Sequence, residues 1–160
     1  MEKLVHRPTI IASVLAVLVF ASWLYFKDTG LLIGMIASIA TIYLGYVRLR
    51  IEHDTMFKSL FESFNARYDH KMNNLINSLA KSPEHKLSTD ERNIILDYFN
   101  LCAEEYMWYK KGRLPKEVWS SWKAGMEFNL EVPQIRSLYI EQKEESTSYY
   151  GLMEELTLNP

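Results

Sequence analysis

The chain has 160 residues, a formal net charge of −2, one cysteine and four histidines. A single cysteine excludes an intrachain disulfide and a dithiol redox pair, and the near-neutral balance excludes a broadly basic nucleic-acid surface. The histidines, His6, His53, His70 and His85, are scattered rather than clustered or paired at helical spacing, and no Gly-rich phosphate loop, H-E-x-x-H or G-x-S-x-G occurs, so no metal, cofactor or catalytic residue is expected and enzymatic activity is disfavoured.

Two apolar stretches, residues 8–26 and 31–47, carry no charged side chain. At about 1.5 Å of rise per helical residue each is long enough, or nearly so, to cross a hydrocarbon core of about 30 Å. A spanning segment of this kind must close its peptide hydrogen bonds internally, which makes it a helix. The polar link Lys27-Asp28-Thr29-Gly30 is a tight reversal, so the expectation for residues 1–47 is an antiparallel transmembrane hairpin. Trp23, Tyr25 and Phe26 mark one headgroup boundary, Tyr43 and Tyr46 the other. A cleaved signal peptide fits less well: no Ala-x-Ala-like site follows Leu24, and a second apolar run comes at once. Lys3 and Arg7 precede the first span and Arg48, Arg50 and Lys58 follow the second, against Lys27 alone in the turn. The positive-inside bias therefore places both termini in the cytoplasm, and it gives Glu2, Asp28, Glu52 and Asp54 little weight.

Gly34, Ser38, Thr41 and Gly45 recur at intervals of four, three and four, which gathers them in one stripe, and Thr9, Ser13 and Ala16 form a shorter one in the first span. Small residues let helices approach closely, so the stripes either pack the hairpin together or join copies of the protein into a homo-oligomer. The absence of ionisable residues from both spans argues against a proton relay or carrier.

From residue 48 to 81 no Pro or Gly interrupts the chain. Leu49, Met56, Leu60, Phe64, Met72, Leu75 and Leu79, widened by Phe57, Phe61, Tyr68 and Ile76, predict a long amphipathic helix continuing from the second span. Its face is too broad and too aromatic for a strict coiled-coil seam, so it packs mostly within the chain. Ser82-Pro83 ends it. Ser88 and Glu91 then form a capping-box pattern opening a helix to about residue 111, with Ile95, Tyr98, Phe99, Cys102, Tyr106 and Tyr109 on its apolar side and Gly112 at its end. Pro115 opens a helix containing Trp119, Trp122 and Met126. Pro133 opens another, with Ile135, Leu138 and Tyr139 inward, and after a Ser146-Thr147-Ser148 break the segment 149–156 forms a last short helix.

No segment alternates as a strand, so the fold class is all-α: a hairpin, an amphipathic helix, and a small irregular bundle over 82–160 in the cytosol. Residues 127–160 hold two basic and seven acidic side chains, which reads as a solvated acidic tail. Cys102 is a buried small hydrophobe.

The densest polar group is Asn100, Glu104 and Glu105, followed by Trp108, Arg113, Trp119 and Trp122. Paired carboxylates suit acid-base work, but no nucleophile or metal set accompanies them; ion pairing of a glutamate with a cation near the turn is the simpler expectation, with the tryptophans in the core. Glu104, Glu105, Trp108 and Arg113 remain a candidate regulatory surface.

In its order of parts the chain resembles the two-span membrane effectors of bacterial anti-phage systems, including those encoded beside retron reverse transcriptases. The stretch from Ile94 to Gly112, I-I-L-D-Y-F-N-L-C-A-E-E-Y-M-W-Y-K-K-G, continuing through Val118-Trp-Ser-Ser-Trp122, is similar to a domain of unknown function of small bacterial membrane proteins. The resemblance brings no catalytic residue. It implies a bacterial inner-membrane protein held quiet by a reverse transcriptase with its RNA-DNA product, and released on infection to breach the bilayer. Two-span prophage superinfection-exclusion proteins, which act on the DNA-delivery proteins of an incoming phage, have a similar layout.

Overall fold

The computed structural model describes residues 8–145 and 148–158. Among these the chain is helical and contains no strand. Contacts divide it into two compact units, Met1–Glu52 and His53–Pro160. Residues 53–81, most of the segment 48–81 expected to continue from the second span as a helix, share a unit with the bundle.

In the first unit, α1 is Pro8–Phe26 and α2 begins at Thr29 and ends, in the second unit, at Arg67. The reversal is shorter than the four-residue link expected. Asp28 caps α2, its Oδ1 accepting from the amides of Gly30 at 2.7 Å and Leu31 at 3.1 Å, so Thr29 and Gly30 already belong to the helix. Lys27 turns the chain with a positive φ of 51°. By length and composition α2 is a helix able to cross a membrane; the described side chains of α1, Ser13–Phe26, form a shorter apolar helix.

The second unit opens with the end of α2, then a single π-helical turn, Tyr68–Met72, and α3, Asn73–Ala80. The expected uninterrupted helix to residue 81 is therefore broken by one wide turn. Phe64, Ile76 and Leu79 are buried and Phe57 and Leu60 partly so, which bears out packing of the amphipathic face within the chain. Leu49, at the other end of the stripe, is exposed.

Helix α4, Thr89–Lys110, starts with the full capping box: the Ser88 side chain accepts from the Glu91 amide and the Glu91 carboxylate accepts from the Ser88 amide. It stops at Gly112, whose φ of +68° a side chain would resist. The Gly112 amide donates to the Tyr109 carbonyl and the Arg113 amide to Trp108, closing the helix end. Then come α5, Lys116–Asn129, α6, Pro133–Glu145, and α7, Leu152–Glu155. The last is shorter than the segment 149–156 expected, because Gly151 takes a left-handed conformation ahead of it.

The core gathers Ile95, Phe99, Ile135, Leu138, Tyr139, Leu152 and Met153 between α4, α6 and α7. The buried Tyr139 hydroxyl donates to the Met153 carbonyl at 2.7 Å and lies 3.2 Å from that of Leu156, fastening α7. The acidic C-terminal stretch is folded into this bundle rather than left as a tail. Glu141 pairs with Arg92, Glu155 with Lys123 at 2.8 Å, and Glu127 accepts from the Thr157 hydroxyl at 2.7 Å.

Candidate functional sites

In the first unit the covered positions are mostly large apolar ones, with Ser22 the exception. Val19 is buried, Leu15, Ser22 and Trp23 on α1 and Leu32, Met35 and Ile39 on α2 are partly covered, and their spacing draws one stripe along each helix. The small-residue stripe lies elsewhere. Gly34 and Ser38 each precede a covered residue by one position, which turns them about 100° round the helix. Gly34, Ser38, Thr41 and Gly45 are all exposed, as are Ser13 and Ala16. The side chain of Thr9 lies outside the described residues. Within the first unit the described small residues of the two stripes are thus not among the covered positions. A Cβ added at Gly34 or Gly45 would meet nothing within 4 Å. The Ser38 hydroxyl donates to the Gly34 carbonyl and Thr41 to Ala37, both at 2.9 Å, so neither donor depends on water.

In the second unit the sequence constellation on α4 separates. Glu104 points to α2 and accepts from Arg67 at 2.6 Å; this pair is more than a third exposed on both sides and is worth about 0–1 kcal/mol. Trp108 joins Phe64, Leu101 and Leu114 in a second small apolar cluster, its indole N–H buried without a hydrogen-bond partner and its ring under the Lys111 ammonium at 5.0 Å. Arg113 is exposed beyond the helix end. The expected pairing of a glutamate with a cation near that turn is replaced by the pair with Arg67, brought in by the fold from 37 residues away.

Glu105 is not on a surface. It is 8 % exposed and lines a cavity of about 390 Å³ between α2, α4 and α5, walled by Phe64, Tyr68, Tyr98 and Trp122 and bordered by Asn65 and Asn129. Burial pushes its carboxyl up to about 8; Arg67 opposes this and the charge of Glu104 adds to it. Cys102 lines the same cavity, and burial followed by the charge of Glu105 raises its thiol well above the ordinary value, so it stays protonated and unreactive. The Asn129 amide donates to the Tyr98 hydroxyl at 3.0 Å and the Asn65 amide to the Phe61 carbonyl at 2.8 Å. Among the described residues no group of three or more His, Cys, Asp or Glu could hold a metal ion.

Asn65, Tyr68 and Asn129 went unremarked in the sequence as site residues, but the burial of Glu105 had a signal. Positions 95, 98, 102, 105 and 109 follow the three-four spacing of one helical face, which threads Glu105 through the middle of the apolar stripe of α4. No protein family, curated protein or solved structure matches this chain.

Proposed function

We propose that the protein is a membrane effector of bacterial anti-phage defence, which acts by abortive infection through loss of inner-membrane integrity. In this reading α1 and the apolar half of α2 are the two spans, both termini are cytoplasmic, and copies associate through the stripe of Gly34, Ser38, Thr41 and Gly45. The observation that carries it is that this stripe is left uncovered while larger residues pack the hairpin, so a close-contact surface is available to a second copy. The internally bonded hydroxyls of Ser38 and Thr41 are consistent with lipid around them. The resemblance in layout supplies the restraining partner, a reverse transcriptase with its RNA-DNA product.

Expression of the chain alone tests this. Growth arrest with dye uptake is expected, and its loss in the double variant Gly34→Leu, Gly45→Leu, with membrane insertion retained. Both leucines start in open space within the protomer, so the variant probes contacts between copies rather than the fold. Unchanged killing would sink the clustering idea. Healthy cells that resist only related phages would instead identify a superinfection-exclusion protein.

A further inference from the structure

The cavity around Glu105 has a chemical bias that the membrane reading does not use. Several of its donors are engaged inside the protein: the Asn129 amide on the Tyr98 hydroxyl, the Asn65 amide on the Phe61 carbonyl, and the nearest cation, Arg67, on Glu104. Glu105 accepts no hydrogen bond from a described residue, and neither side-chain oxygen of Asn65 or Asn129 takes a proton from the protein. At 8 % exposure Glu105 keeps little contact with water, and a carboxyl so placed gains from a partner. The walls are aromatic, and Phe64 meets Trp122 edge to face at 5.8 Å between centroids. Aromatic faces hold a flat body and attract positive charge.

The geometry points to a binding site for a small organic cation, an amine or guanidine on an aromatic or aliphatic body, whose N–H donors meet Glu105, Asn65 and Asn129 while the body lies against Trp122 and Tyr98. At about 390 Å³ the space matches a ligand of modest size. Above about pH 8 the ionised carboxyl repels an anion, and a neutral hydrocarbon would leave the acceptors unpaired. The ion pair formed beside these aromatic walls favours the charged form of Glu105, so ligand binding displaces its proton. Titratable neighbours on the packed elements are Arg67 and Tyr68 on the α2 side and Tyr98, Cys102 and Glu104 on α4. The site lies wholly within the second unit, so it stands or falls independently of how the hairpin works.

The test uses the full chain in detergent, titrated with phenethylamine, agmatine and spermidine, and with phenylacetate and 2-phenylethanol as anionic and neutral counterparts of the first. Calorimetry and tryptophan fluorescence, to which Trp122 reports, are expected to show binding of at least one cation and of neither counterpart. Glu105→Gln keeps the shape and removes the charge, and should weaken binding by about tenfold or more. Gly125→Leu fills the cavity from α5, where an added Cβ meets nothing within 4 Å, and should abolish binding with helicity unchanged. Binding of all three cations undiminished in both variants, or no binding of any cation at millimolar concentration, overturns the proposal.

Discussion

The two units solve the same burial problem in opposite ways. From residue 53 onward most large apolar side chains turn inward: Phe64, Phe99, Ile135 and Tyr139 are each no more than 2 % exposed, although Phe128 stays outside. In the first unit Val17, Ile33, Ile42 and Leu44 are each at least 65 % exposed. An apolar surface of that extent is not stable against water, at roughly 25 cal/mol per Å². The second unit carries its own core, whereas the first leaves most of its described apolar side chains uncovered.

The largest expected effect follows from that contrast. A chain beginning at His53 should be soluble and helical without detergent, while the full chain should sediment with membranes and leave them only in detergent. Sedimentation and circular dichroism measure both. A soluble, monodisperse full-length protein would mean that the apolar face of the first unit is covered by protein instead.

Residues of like chemistry should then respond oppositely to truncation. Phe99→Ala removes a buried ring that meets Tyr139 and Tyr149 edge to face, and should cost about 3–5 kcal/mol in denaturant unfolding. Leu44→Ala truncates an apolar side chain at an exposed position, and should leave the unfolding of the second unit unchanged. Equal losses would show that the two units unfold together.

This contrast also explains what could be read from residues alone. The capping box at Ser88 and Glu91 and the helix end at Gly112 are local, each set by a few neighbouring residues, and both stand where expected. In the second unit apolar and polar positions alternate with helical period, so inward residues such as Ile135, Leu138 and Tyr139 could be named in advance. In α1 and the apolar half of α2 nearly every position is apolar, so the pattern carries no phase, and nothing marked Leu15, Val19, Met35 and Ile39 as the covered side. The small residues drew the eye because close packing was the only available cue. Glu105 failed for another reason: its spacing put it on the buried face, but residue type argued for the surface.

Glu105 sharpens the comparison further, since it is a polar residue inside the unit that buries apolar ones. Its folded-state carboxyl titrates near about 8 against an ordinary value of 4.5, so the folded protein holds a proton that the unfolded chain releases. The stability this group allows is fully present below about pH 4.5 and is lost as pH rises through about 8. Glu105→Gln stays neutral throughout. It should unfold like the parent at pH 4.5 and be more stable by on the order of 2 kcal/mol at pH 8.5, allowing for water in the cavity. A constant difference across that range would place the carboxylate in contact with solvent or a cation.

The smallest effect tests whether the second unit also depends on its helix ends. At the start of α4 the Glu91 carboxylate accepts from the Ser88 amide and hydroxyl, both at 2.8 Å, and lies 3.0 Å from the His85 ring. The Ser88 amide bond, followed by His85 and the Ser88 hydroxyl, lowers its pKa to about 2. Because the folded value lies below the unfolded one, this contribution is present above about pH 4.5 and is lost as pH falls toward 2. Ser88→Ala removes the hydroxyl that caps the Glu91 amide and should cost about 1 kcal/mol at neutral pH. The cost should shrink in acid, where the protonated Glu91 no longer holds its side of the box. A loss that stays the same from pH 7 to pH 2.5 would mean that the serine caps the helix alone, with the glutamate contributing nothing to it.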